Sequence, residues 1–386
     1  MNLRQYFSQS PVVRVLSSVR VTVVCLLLLY FLTLVGTVAQ IQEGLYLAQR
    51  RYFESFFFLA FGFLPFPGAQ AVMWVLFFNL LCAAAKHFVY RWQRIGIIII
   101  HAGLLLFLVS GYMTLHTARE SHLTLSEGQA SNTSVAYHDW EVAIWEDTPP
   151  VDNLTTSRDV ISLDTRYFRR GQEMDLKELG VRWIVTEYHH NCEAYKGQGS
   201  NTIRNASGLV RFAAAPLFKE PEKNTPGGIF RITSGDSAGI DVLLYGGENI
   251  PTPVTIGFKT YNMMLRLKHF PLPFMVRLKE FKKEEHPGTQ TPRSFQSLVE
   301  IEVNKAWREK LISMNEPLRY NDFTFYQASY AVDRMGLESS TLAVVKNAGR
   351  LMPYISTFVT FMGLVVHFGT AALRPRKNST EKTNHA

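Results

Sequence analysis

Of 386 residues only three are cysteine, and none is placed for a known thiol site. Cys25 and Cys82 lie in apolar runs, and Cys192 stands alone. No CxxC, zinc-ligand spacing or CxxCH motif occurs, which excludes a thioredoxin-like reductase, a c-type cytochrome and a disulfide framework. A P-loop, GxSxG, HExxH, EF-hand loop and strand-borne GxGxxG are also missing, so nothing points to catalysis by this chain alone. The most informative absence is charge. Val21 to Ile41, Ala69 to Ala85, Ile95 to Leu115 and Leu351 to Leu373 hold no Asp, Glu, Lys or Arg.

An α-helix rises about 1.5 Å per residue, so blocks of this length cross roughly 30 Å of hydrocarbon. Four transmembrane helices are expected. The first block exceeds the roughly 7 to 15 apolar residues of a signal-peptide core, so it is expected to stay in the protein. The run from Phe56 to Pro67 is also uncharged, but it is aromatic and broken by Gly62, Pro65 and Pro67. It reads as an interfacial or re-entrant segment within residues 21–115.

The formal net charge is +8, yet His116 to Arg350 holds 28 basic and 29 acidic residues, against 12 and 3 elsewhere. A nucleic-acid surface would concentrate positive charge on the large domain, so no nucleic-acid partner is expected. The basic residues sit in short segments: Arg4, Arg14 and Arg20; Lys86, Arg91 and Arg94; Arg374, Arg376, Lys377 and Lys382. Lys and Arg are retained on the cytoplasmic side, and four crossings put these segments together. The reading is a cytoplasmic N-terminus (1–20), a cytoplasmic tail (374–386), and residues 116–350 held outside the cytoplasm. No Ser/Arg-rich transit segment is visible at the start, which favours a bacterial inner membrane with a periplasmic domain.

Between His116 and Arg350 short runs of alternating aromatic, β-branched and polar residues are separated by Gly, Pro, Asn and Asp. Trp140 to Trp145, Val181 to Tyr188, Gly228 to Thr233, Ile240 to Tyr245, Pro253 to Phe258, Phe274 to Phe281, Ser294 to Val303, Asp322 to Tyr330 and Ser340 to Val345 read as strands. They predict a mainly-β, antiparallel, sandwich-like domain. Residues 191–227 read as a long irregular loop.

Polar side chains in hydrocarbon are costly unless they face protein or carry function. His101 is six residues inside the start of the third block and His367 six before the end of the fourth, so both lie roughly 9 Å deep from the same side. Ser356, Thr360, Gly363 and His367 share one helix face, and Gly96, Gly103 and Ser110 form a seam on the third helix. His101 projects almost opposite that seam, with Leu105, Leu108 and Tyr112. Two readings compete at each histidine: axial ligation of a haem iron, or a hydrogen bond that fixes packing. Asn79 and the stripe Thr33, Gly36, Thr37 and Gln40 read as packing. His87, His116, His122, His189, His190 and His286 read as interfacial, surface or turn residues.

Several segments resemble the ResB (CcsB, Ccs-type) family of system II cytochrome c biogenesis. They are Ser17-Ser18-Val19-Arg20-Val21-Thr22, Arg94-Ile95-Gly96 with His101, HPGTQTPRSFQSLVEIEV from His286 to Val303, and ISMNEPLRYNDFTFYQASY from Ile312 to Tyr330. Gly349-Arg350 with Pro353-Tyr354-Ile355-Ser356 completes the likeness, which is poor from about 120 to 270. The resemblance implies a subunit of a haem-attaching cytochrome c synthetase that handles haem b as a transported substrate. It implies a CcsA/ResC-like polytopic partner, an apocytochrome c and a separate thioredoxin-like reductant. The family's intramembrane histidine corresponds to His101, and His367 matches no family motif. Trp74, Trp92, Trp140, Trp145, Trp183 and Trp307 are scattered, so the chain looks like the separate subunit rather than a fused synthetase. Two other functions fit the residues alone: a membrane b-type haem electron-transfer protein, and a haem-free membrane-anchored scaffold or sensor.

Overall fold

In the computed structural model the described residues are 10–87, 94–148, 159–197, 203–234, 239–288, 292–303, 306–332 and 336–373. Arg4, Arg91, Arg374, Arg376, Lys377, Lys382, the 289–291 turn and the His87 side chain lie outside them. The chain divides into two units, Met1–Arg119 with Lys346–Ala386, and Glu120–Val345.

The first unit is built on four helices long and apolar enough to cross a membrane: α1 (Val19–Glu43), α2 (Ala69–His87), α3 (Ile95–Thr117) and α4 (Met352–Ala372). Ser18 caps α1 by accepting from the Arg20 backbone N–H at 3.3 Å, and Gly44 ends it at φ 83°, a backbone angle that favours glycine. Pro353 sits in the first turn of α4, where a missing N–H costs nothing.

α3 and α4 pack along the seam that the period identified. Gly96, Gly103 and Ser110 are buried on α3, and Ser356 and Gly363 on α4. A Cβ added at Gly96 would stand 2.5 Å from the His367 backbone nitrogen, and one at Gly363 would stand 2.6 Å from the Ile100 nitrogen. Lipid tails are as apolar as leucine, so close van der Waals approach through small residues drives such pairing.

α1 and α2 are held differently. Buried Asn79 of α2 accepts from the Thr22 hydroxyl at 2.7 Å and donates to the carbonyls of Ser18, at 3.0 Å, and Leu16. Lys86 donates to the Ser17 hydroxyl at 3.1 Å. Leu32 of α1 packs with Ala69 and Val72 at the start of α2, so Thr33–Glu43 runs on past that start. Of the predicted packing stripe, Gly36 is buried, and a Cβ there would press on the Phe53 ring. Thr33 and Thr37 are exposed and return their hydroxyls to carbonyls of their own helix.

The chain between α1 and α2 folds back along α1. A short turn (Leu45–Ala48) and a π-helical turn (Gln49–Phe53) lead to a hairpin of Phe57–Ala60 with Leu64–Pro67. Tyr52, Phe58 and Phe66 pack with Leu28, Leu29 and Leu32. Phe61 and Gly62 make the turn at φ 56° and 82°. The hairpin carries Pro65 and Pro67 on one strand, which removes two N–H groups that hydrocarbon could not satisfy.

The second unit is mainly antiparallel β. A ten-stranded sheet is organised on two long strands, Ala130–Glu146 and Lys259–Glu285, and a five-stranded sheet lies beside one end of it. Register shifts between Leu267 and His269, and between Pro271 and Val276, bend the long pair. One half buries Val142, Ile144, Met263 and Leu265 against Trp183, Val185, Phe230 and Val242 of the smaller sheet, giving the expected sandwich. The other half, with Leu272, Val276 and Leu278, encloses a second core with Val299, Ile312, Phe325 and Val344. Fully burying an aliphatic or Phe side chain contributes about 1.5–3 kcal/mol, so each core is a large share of stability.

Residues 191–227 are not an irregular loop. Cys192–Lys196 pairs with Leu209–Ala214, and Ile203–Arg204 joins the smaller sheet as a parallel strand. Asn191 ties the base by donating to Pro216 O at 2.6 Å and accepting from Thr225 N at 3.0 Å. A side-chain amide there supplies the turn that Gly and Pro content had suggested was disorder.

Candidate functional site

His101 lies in the second turn of α3, half-buried. Its Nδ1 donates to the Ile97 carbonyl, one turn earlier, at 2.8 Å. A carbonyl only accepts, so this bond fixes the proton on Nδ1 and leaves the lone pair of the neutral ring on Nε2, the atom that ligates a metal. Orienting a ligand imidazole through its other nitrogen is how proteins set both ring direction and tautomer.

The position of His101 around α3 follows from the seam. It is five residues past Gly96, so the two project about 140° apart at roughly 100° per residue. The Gly96 face is occupied by α4. Tyr112 lies three turns above His101 on the same face, and its ring meets Trp74 of α2 edge-on with centroids 5.1 Å apart. His101 is therefore on the α2 side of α3, on a face the α3–α4 contact does not use.

His367 is on the other side. Its backbone packs on Gly96, and its Nδ1 is buried with no hydrogen-bond partner among the described residues. Gly96 abuts His367 and Gly103 abuts Thr360, so His101, five residues past Gly96, lies about 7.5 Å along the helices from His367 instead of at the expected shared depth, on a face turned about 140° away. The structure does not bring them together.

The remaining histidines divide into two groups. His116, at the last turn of α3, lies against Tyr112 at 4.4 Å; His189 pairs with Glu187 at 2.6 Å; His190 meets the Tyr188 ring at 5.1 Å; His286 is exposed in a turn. These are interfacial, surface and turn roles. His122 is different, because it sits mid-strand with its ring 5.1 Å from Tyr137 and its Nδ1 buried without a hydrogen-bond partner among the described residues. Across the sheet it pairs with Val135, which pairs with His269. Paired residues share a face, so two imidazoles flank one valine. Burial lowers the pKa of both, helped at His269 by the nearby Arg266 charge. No sequence spacing links strands so far apart, and only the alternation of polar and apolar residues hinted at a shared face.

The opposite face of the same strands carries ion pairs. Buried Glu141 binds Arg266 at 2.9 Å and accepts from the Ser162 hydroxyl. Asp164 binds Lys268 at 2.6 Å and Arg166 at 2.7 Å. Burial alone would raise the Asp164 carboxyl, but these hydrogen bonds hold it at about 2. Among the described residues no cluster of three or more His, Cys, Asp or Glu is arranged to hold a metal ion. The cysteines are free, and burial, followed by the Glu187 charge, pushes the Cys192 thiol up to about 12.

Comparison with known proteins locates the family signal. Residues 254–350 match the ResB-like family. Protein NrfI of Wolinella succinogenes is 31% identical over 100 residues, which is 25% of this chain and 11% of that protein. The chain thus covers about a ninth of that relative. The family match contains the His286–Val303 and Ile312–Tyr330 runs and ends at Arg350. His101 and the α1 opening lie outside it.

Proposed function

We propose, from the match of residues 254–350 to the ResB-like family, that this chain is a membrane subunit of cytochrome c biogenesis that carries haem across the membrane and presents it for covalent attachment to apocytochrome c. The observation that carries this reading is the His101 imidazole, set in an apolar helix with its Nδ1 proton committed to Ile97 and its position turned about 140° from the Gly96 seam that meets α4. The basic residues of the short segments put the N-terminus and tail in the cytoplasm and the β-rich unit outside. His101 then meets haem about 9 Å from the cytoplasmic surface, with helix walls shielding the ring from lipid.

Haem is the cargo rather than a resident group. A six-coordinate iron needs a second axial ligand, and His367, on the far side of α3, does not supply it to the ring held by His101. That separation favours delivery over the resident bis-histidine haem of an electron-transfer protein. The second ligand and the exit path come from a CcsA/ResC-like partner, and the β-rich unit holds partner or apocytochrome near the site of attachment.

Thioether formation needs reduced iron and reduced substrate thiols. This chain has no thiol pair, and a Cys192 thiol titrating near 12 is not a thiolate at neutral pH. The electrons therefore come from a separate thioredoxin-like protein. Deleting the gene and staining membrane proteins for covalent haem tests the proposal: all c-type cytochromes are lost while b-type haem proteins persist. Unchanged c-type haem in the deletion strain would refute it. Protein purified with its partner carries less than one haem per chain, with a Soret band absent from His101→Ala; a full, reversible haem without the partner would favour the electron-transfer reading.

A further inference from the structure

The Arg20 side chain belongs to one of the segments that carry the family likeness, yet the haem reading gives it no task beyond orientation. Its hydrocarbon stem lines one end of a cavity of about 400 Å³ between α1 and α2. Val24 and Leu28 of α1, Val72 and Val75 of α2, and Phe57 and Pro67 of the hairpin form the walls, with the Cys25 thiol among them. Apart from Arg20 the lining offers no charge. The cavity persists because its ends are fixed by other contacts. Asn79 and Lys86 lock the start of α1 to α2, and the hairpin wedges between Leu28, Leu32 and Ala69 at the far end. Side-chain collapse would gain nothing over a lipid tail, since hydrocarbon is as good a neighbour as leucine.

We propose that this groove holds one acyl chain of an anionic phospholipid whose phosphate pairs with Arg20. From Arg20 to Leu28 the helix climbs about 12 Å, enough for much of a chain laid along it. The Arg20 side chain is exposed and has no acidic partner among the described residues. Lys86 lies at the same end, bonded to Ser17, and Arg14 is one turn before that. A groove that is apolar along its length and cationic at one mouth favours a lipid of net negative head, in which no choline cation competes with Arg20 for the phosphate. The hairpin closes the other mouth, which explains why an aromatic, uncharged segment returns to membrane depth there. This site is independent of the haem reading, because it faces α1 and α2 rather than the α3 face of His101.

The test uses the full chain in a neutral detergent, with phosphatidylglycerol or phosphatidylcholine of identical acyl chains added back. Phosphatidylglycerol raises the melting temperature by several degrees and phosphatidylcholine does not. Native mass spectrometry shows one retained phosphatidylglycerol per chain. Arg20→Gln and Ala71→Phe, the latter at a groove-lining position of α2, each lose both the shift and the bound lipid, whereas Arg20→Lys keeps them. Should Ala71→Phe fail to accumulate, the smaller intrusion Val24→Leu weakens retention at least several-fold. Equal stabilisation by the two lipids, or retention unchanged in Arg20→Gln, would overturn the proposal. Stabilisation by haemin and by neither lipid would also overturn it and assign the groove to the porphyrin.

Discussion

The two helix pairs of the membrane unit solve the same problem in opposite ways. α3 and α4 meet through glycines, backbone against backbone, and leave no space between them. α1 and α2 meet through one buried amide and one lysine, and leave a groove. In hydrocarbon there is no hydrophobic drive between helices, so a pair is held either by close approach or by hydrogen bonds that lipid cannot replace. The first solution gives a rigid wall and frees the opposite face of α3 for His101. The second keeps two helices in register while admitting a third body.

Substitution should separate the two solutions, and the largest effect is expected at the glycine seam. Gly103→Leu would drive a side chain into the Thr360 hydroxyl and stand 2.7 Å from its backbone nitrogen at the first added atom. Neither helix yields, so the cost is about 3 kcal/mol or more, read as loss of accumulated protein and of a cooperative melt in detergent. The β-rich unit, whose half-buried ion pairs add to its two apolar cores, supplies the next contrast. Asp164 is held near 2 instead of 3.8, so its contribution is nearly full above about pH 4 and is lost as the pH falls through about 2. Asp164→Asn therefore costs up to about 2 kcal/mol at pH 7, reduced by screening at the exposed Arg166 partner. Urea titrations of the two proteins should converge as the pH is lowered from 4 to 2.

Asn79→Leu removes three hydrogen bonds from the other helix pair and leaves the Thr22 hydroxyl and two carbonyls without them. Intramembrane hydrogen bonds average about 0.6 kcal/mol and reach about 1.7, so a loss of about 1–2 kcal/mol is expected. Melting in detergent measures it, and the α3–α4 contact should survive. The smallest effect is at His367. Its Nδ1 has no hydrogen-bond partner among the described residues, so His367→Leu is neutral or stabilises by under about 1 kcal/mol. A loss as large as that of Asn79→Leu would show that the ring is bonded in the working protein.

The same contrast marks what the sequence made legible. Gly96, Gly103 and Ser110 repeat at seven residues, and Ser356, Thr360, Gly363 and His367 follow one face, so both sides of the tight seam could be read from the helix period before they were seen to meet. Asn79 read as packing, and so it is, but its partners are the Thr22 hydroxyl and two backbone carbonyls fifty-seven or more positions away, which no periodicity encodes. The hairpin at 56–67 read only as interfacial or re-entrant, because its turn uses a phenylalanine at positive φ, a position sequence rules assign to glycine or asparagine. In the β-rich unit, alternation located many strands of both cores but not Arg119–Ser126, the first half of Lys259–Glu285 or Ala306–Ser313. It missed the strands at 192–214, where glycine and proline diluted the pattern, and the His122–Val135–His269 row, which exists only once three strands are in register. His101 was legible as a polar residue at membrane depth, whereas its tautomer required coordinates.

The most direct test of the account is chemical rescue at His101. His101→Gly should accumulate normally, since the seam that holds α3 to α4 runs through Gly96, Gly103 and Ser110 instead, and should abolish covalent haem on c-type cytochromes. Imidazole added to the growth medium should restore part of it, with no such response in His367→Gly. Normal cytochrome maturation in cells carrying His101→Gly without imidazole would contradict the claim that this nitrogen holds the iron during passage.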